Sequence, residues 1–208
     1  MNFPARIPNW IKWFYPSFVW QMPADEKSLF LTFDDGPHPT ITPQVLSILS
    51  RYDAKATFFC IGDRVKRYPE IFQRILDEGH AIGNNTQHHI KGWKTATADY
   101  VAEVNKAESY IHSKLFRPPY GRIKRKQAKL LLDQGFEIIM WTVLSADYDN
   151  TVTKEACANR VLKNINKGDI YLFHDSEKGE ERMLYALPRL LEAASALGFE
   201  FKKIKEIR

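Results

Sequence analysis

Cysteine is scarce in this chain, with only Cys60 and Cys157 among 208 residues. Two thiols without tight spacing form no disulfide framework, and Cys60, after Thr57-Phe58-Phe59, reads as core. An uninterrupted apolar stretch long enough to span a membrane is also lacking. The N-terminus carries Trp10, Trp13, Phe14, Tyr15, Phe18 and Trp20, but Pro4, Pro8, Pro16 and Pro23 interrupt it and no small-residue cleavage site follows. It therefore reads as neither a signal peptide nor a spanning helix, which favours the cytoplasm. Its aromatic density would suit a membrane surface, yet its basic residues are only Arg6 and Lys12, so packing against its own domain is the expectation. Repeats, low-complexity tracts and linkers are missing too. The division expected is an aromatic, proline-rich arm over 1–26 and one domain over 27–208.

Charge of one sign is not concentrated. The formal net charge is +5, scattered apart from Arg122, Lys124, Arg125, Lys126 and Lys129, which read as a solvated basic helix face. No nucleic-acid partner is expected, and nothing sets the oligomeric state.

What is present is a full core's worth of apolar residues, 44% of the chain, arranged in alternation. Seven apolar runs stand at 29–33, 56–60, 80–83, 115–117, 136–141, 169–173 and 199–204. Helical patterns lie between them at 42–51, 63–78, 97–113, 124–134, 153–166 and 181–197. Strict alternation implies right-handed crossovers and a parallel sheet covered by helices. A doubly wound sheet and an incomplete barrel both satisfy it.

The first run ends in Asp34-Asp35-Gly36-Pro37. Two acids at the mouth of a buried strand are costly unless paired, hydrogen-bonded or bound to a cation. Four more run-ends carry polar groups: Asn84, Asn85, Thr86, His88 and His89; Arg117 to Gly121; Asp147; and His174-Asp175. Asp, Asn and His together offer the mixed oxygen and nitrogen donors that zinc or another divalent ion accepts. If the segment turns helically, Asn85 and His89 share a face and His88 points elsewhere. His38, His80 and His112 lack such company and read as structural.

These residues carry a resemblance. Thr32-Phe33-Asp34-Asp35-Gly36, Asn85-Thr86-Gln87-His88-His89, Arg117-Pro118-Pro119-Tyr120-Gly121, the segment from Trp141 to Tyr148, and Leu172-Phe173-His174 resemble the five ordered motifs of the polysaccharide deacetylase (NodB-like) domain, carbohydrate esterase family 4. The match runs from about Lys27 to Ile204. It implies a single α/β domain folded as a distorted, incomplete (β/α) barrel of about seven parallel strands. It also implies a metal-dependent hydrolase that removes N-acetyl groups from amino sugars, with a carbohydrate as its substrate.

Transferred by resemblance, Asp35, Asn85 and His89 occupy the metal-ligand positions, with zinc the expected divalent ion. Asp34 becomes the general base and His174 the general acid. Arg117 orients the base, Asp147 holds and charges the histidine, and the backbone amide of Tyr120 faces the oxyanion. Two positions depart from the family. Asn85 stands where the pattern has histidine and offers only a neutral amide oxygen, so weaker or harder-ion binding is expected. Leu144 and Tyr148 replace an acid and a tryptophan in the fourth motif, Tyr148 still supplying an aromatic wall. Trp93 could stack on sugar, whereas Trp141, ending an apolar run, is expected in the core. Two rivals remain: a sugar-binding module impaired by Asn85, and a glycosidase using Asp34 and Asp35, although neighbouring residues rarely span the ~5 to 9.5 Å such mechanisms need.

Overall fold

A computed structural model describes residues 4–23 and 26–206. Parts of the expected arm and domain boundaries, at 1–3, 24–25 and 207–208, lie outside the described residues. The strands are β1 (Ser28–Asp34), β2 (Ala56–Cys60), β3 (Ala81–Asn84), β4 (Leu115–Phe116), β5 (Glu137–Ile138), β6 (Val143–Leu144), β7 (Ile170–His174) and β8 (Glu200–Phe201). The helices are α1 (Asn9–Trp13), α2 (Ile41–Ser50), α3 (Gly62–Arg67), α4 (Pro69–Asp77), α5 (Thr97–Ile111), α6 (Arg125–Asp133), α7 (Lys154–Leu162) and α8 (Glu180–Ala196).

Seven strands follow one parallel path, β5-β4-β3-β2-β1-β7-β6, and β8 pairs only the start of β1. β5 and β6 are four residues apart in sequence yet lie at opposite ends of the path, so the sheet must curl until its edges approach. This is the curled, incomplete barrel that the resemblance implies. The run at 136–141 does not make one strand as expected. It is shared between β5 and a turn toward β6 because the chain there crosses from one sheet edge to the other.

Described arm residues fill the seam between those edges. The Ile7 N–H donates to Thr142 O at 2.9 Å and the Leu144 N–H to Ala5 O at 2.8 Å, while Val19 exchanges bonds with Ile138 and Met140. Arg6 forks onto the fully buried Asp169 at 2.7 and 2.9 Å, a bidentate pairing that fixes the arm in orientation as well as in place.

Period-two alternation along β1 explains the layers. Leu29, Leu31 and Phe33 face the helices, and Phe33 stacks on Phe58 and Phe173 with centroids 5.0 and 5.9 Å apart. Phe30 faces inward, in a plug with Phe59, Leu115, Ile139, Ile170 and Ile204. Thr32 and Asp34 continue the inward row toward the C-terminal ends of the strands. The helix expected over 63–78 is broken in two, because Tyr68 is pushed out of helical geometry (φ −130°, ψ 58°) ahead of Pro69, which opens α4.

Candidate active site

The parallel register brings the first and last motifs side by side, with Asp34 on β1 paired across the sheet to His174 on β7. Arg117, just beyond β4, reaches under them through the barrel. It is fully buried, donates from Nη1 to Asp34 Oδ1 and to Thr32 Oγ1 at 2.7 Å each, and donates from Nε to the Ile139 carbonyl and from Nη2 to the Met140 carbonyl. Its guanidinium lies over the Phe59 ring at 4.1 Å. Burial still pushes the Asp34 carboxyl up to about 6, with the charges of Arg117 and His174 opposing it. A carboxylate with that affinity for protons is matched to base work near neutrality.

His174 is locked from the other side. Its Nδ1 is 2.7 Å from Asp147 Oδ1, its N–H donates to Asp147 Oδ2 at 2.7 Å, and Asp147 is fully buried. An ionised carboxylate only accepts, so Nδ1 carries a proton. Burial alone would lower the ring, but Asp147, with Asp35 and Asp34 beyond it, outweighs this and raises His174 to about 9. Arg182 Nε donates to the Asp147 carbonyl at 2.5 Å and steadies the loop.

Asp35, Asn85 and His89 meet at one carboxylate oxygen. His89 Nε2 is 3.1 Å from Asp35 Oδ1, and Asn85 Nδ2 stands 3.5 Å from the same atom. Sequence alone expects a helical turn to bring Asn85 and His89 together. The structure instead uses an irregular loop in which Thr86 (φ 65°) and His89 (φ 53°) are left-handed, as is Asp35 (φ 76°). Such conformations in non-glycine residues are costly and collect at functional sites. Asn85 is fully buried, and its Oδ1 has no partner. A buried amide oxygen left orphaned beside a carboxylate and an imidazole fits a cation that would engage all three. Among the described residues, however, no three His, Cys, Asp or Glu side chains are placed to hold a metal. The set is completed only by the neutral amide.

Over these groups lies a cleft of about 440 Å³ floored by Asp34, Asp35, His89 and His174. Tyr148 is one wall, its ring edge-on to His174 at 5.1 Å. Tyr120 is the opposite wall, 4.7 Å from His89 and left-handed at φ 60°, with Trp93 5.6 Å beyond it. Trp141, expected in the core, lines the cleft instead. Gly121, itself left-handed, leaves the space its indole occupies, where a Cβ would collide with it. Leu144 supplies an apolar patch where the family pattern has an acid.

The remaining histidines stand apart from this set. His80 Nδ1 accepts from the Ala56 N–H at 3.1 Å, His88 turns away to Glu103 at 2.9 Å, His112 caps α5, and His38 bonds its own turn. Sequence reasoning gave no part to Lys91, Arg122 and Lys178, which the structure places at the cleft mouth. It named Asp175 among the polar run-ends without giving it a role; the residue is fully buried, bonded by Thr42 Oγ1 at 2.5 Å and raised by burial to about 7. The one available signal was its position directly after His174. Arg122 leaves the basic cluster of the sequence for the cleft. The others of that cluster stay exposed on or beside α6.

A parallel barrel carrying a buried carboxylate–arginine pair and an aspartate-held imidazole at its mouth belongs to the acid–base enzymes of the (β/α) class. The chain belongs to the polysaccharide deacetylase family, whose model matches residues 21–139. It is 35% identical to a peptidoglycan-N-acetylglucosamine deacetylase of Bacillus cereus, over 91% of this chain and 92% of that protein. It is 31% identical to a chitooligosaccharide deacetylase of Azorhizobium caulinodans, over 86% of this chain and 94% of that protein. Among solved structures, the Bc1960 peptidoglycan N-acetylglucosamine deacetylase superposes with a TM-score of 0.87 at 30% identity, covering 95% of this chain and 99% of that one.

Proposed function

We infer that this protein is a carbohydrate N-deacetylase, hydrolysing the acetamide of an N-acetylated amino sugar, N-acetylglucosamine above all, within a glycan or oligosaccharide. The observation that carries this is the pairing of Asp34 and His174 across β1 and β7, each with its own buried partner and both facing one aromatic-walled cleft. The sugar ring lies between Tyr148 and the Trp93–Tyr120 wall. Asp34, held by Arg117, takes a proton from the attacking water. The backbone amide of Tyr120 faces the oxygen of the tetrahedral intermediate, and His174 returns a proton to the departing amine. Asp147 keeps that ring charged.

Asp35, His89 and the Asn85 amide oxygen are the groups that would hold a divalent cation, zinc being the ion expected from the family. When bound, the cation lowers the pKa of a water toward ~7 and polarises the acetyl carbonyl. An amide oxygen is a poorer zinc donor than an imidazole, so this chain binds zinc more weakly than a two-histidine site and accepts harder ions more readily.

The test uses N-acetylglucosamine oligomers with divalent cation supplied. Asp34→Asn should cut acetate release by about 10²–10⁴-fold while leaving cation content intact. Asp35→Asn should lose the cation. Equal cation content and equal residual rates in the two variants would overturn the assignment. Asn85 favours a second reading, a glycan-binding module without turnover. Failure of the unmodified protein to release acetate at saturating cation, with oligomer binding retained, would establish it.

A further inference from the structure

The arm that seals the barrel seam has a second face. Ile7, Ile11, Tyr15 and Phe18 pack inward with Ala128, Leu131, Phe136 and Ile138. The turns between them push Trp10, Trp13 and Phe14 outward, 57%, 78% and 62% exposed, with the Trp10 and Phe14 rings in edge contact at 6.3 Å. Three large aromatics together on a five-residue helix and its C-cap are not needed for the fold, which uses the opposite side of α1. Elsewhere among the described residues, exposed large apolar side chains stand singly or, as with Tyr120 and Tyr148, line the cleft. Grouped exposure of this kind marks an interaction surface.

The charge pattern says what would cover it. The first acidic residue of the chain is Asp25, so nothing anionic in sequence accompanies the trio, and Lys12 lies on the same helix. Helix α6, whose Ala128 and Leu131 share the core cluster with the arm, displays exposed Arg125 and Lys126. Exposed tryptophan and phenylalanine, with Lys12 on their helix and Arg125 and Lys126 on the helix that shares their core cluster, match the headgroup boundary of an anionic bilayer, where the rings bury and the cations meet phosphate. The Arg6–Asp169 clamp holds the patch in a fixed posture, so docking need not first order it. We propose that α1 seats this protein on an anionic lipid surface, with Trp10, Trp13 and Phe14 entering the interface.

Sedimentation of the full chain with phosphatidylcholine vesicles, with and without phosphatidylglycerol, tests this. The protein should pellet with the mixed vesicles, and its tryptophan emission should shift to the blue. Trp10→Ser/Trp13→Ser/Phe14→Ser should weaken the partition on the order of tenfold or more and abolish the shift. Arg125→Gln/Lys126→Gln should weaken binding to the anionic vesicles and reduce its salt dependence. If the triple variant unfolds at a lower temperature, Trp13→Ser alone carries the test. Protein left in the supernatant with both vesicle types, or variants that pellet like the parent, would overturn the proposal. Self-association that the triple variant abolishes, without vesicle binding, would assign the face to a second copy and overturn it as well.

Discussion

The two sides of the cleft floor are built differently. On the Asp34–His174 side every charged group has a partner at 2.7 Å: Arg117 for Asp34, Asp147 for His174. On the Asp35 side the spacings are 3.1 and 3.5 Å, one amide oxygen is orphaned, and the backbone is left-handed at Asp35, Thr86 and His89. The first side is finished by the protein itself. The second has the looseness of a site whose remaining bonds come from something bound, since buried polar atoms are rarely left unpaired without cause. Proton transfer needs fixed geometry before substrate arrives, whereas an ion can draw its ligands together on binding.

The largest effect should come from breaking the finished side. Arg117→Met removes the counterion of a buried carboxylate and should destabilise the fold by about 3–5 kcal/mol in urea denaturation. A loss below about 1 kcal/mol would mean that Asp34 is not held as described.

Next is the pH profile. Acetate release should rise through about 6 as Asp34 ionises and fall through about 9 as His174 loses its proton. A cation beside Asp35 would draw the acid limb lower. Asp147→Asn should shift the alkaline limb down by about 1–3 units, and an unmoved limb would separate Asp147 from the acid. Because the folded His174 pKa lies above its ordinary value, the pair stabilises the protein fully below about 6.5. That contribution is lost as pH rises through about 9.

On the unfinished side the comparison sharpens by gain. Asn85→His should tighten zinc by about tenfold or more and raise acetate release, because a second imidazole replaces a neutral amide, with supporting groups limiting the gain. Equilibrium dialysis with metal analysis reads it, and a folded variant binding no more zinc would contradict the cation site. The smallest effect belongs to the solvated face of α6. Lys126→Ala should change stability by no more than about 0.5 kcal/mol and leave turnover on soluble oligomers unaltered.

Much of the site was legible because its residues follow apolar runs, and the ends of parallel strands are where a barrel places its working groups. The structure brings Arg117 to Asp34 and Asp147 to His174. What misled was local. A four-residue spacing suggested a helix at 85–89, but two left-handed residues achieve the same meeting. Trp141 closes an apolar run and still faces the cleft, because strand β5 ends at Ile138 and Gly121 leaves the indole room. Asp175 stood out at the end of an apolar run, but nothing local could reveal its burial against Thr42, 133 positions away.

The sequence alone determined the alternation of strands and helices, the mouth at which polar groups collect and the chemical kinds available there, since periodicity and residue type are local properties. Only the tertiary structure decided that Asp34 lies across from His174, that Arg117 reaches beneath Asp34, and that the arm closes the seam. Those depend on register and sheet curl, which follow from the packing of the whole core around β1 rather than from any one segment.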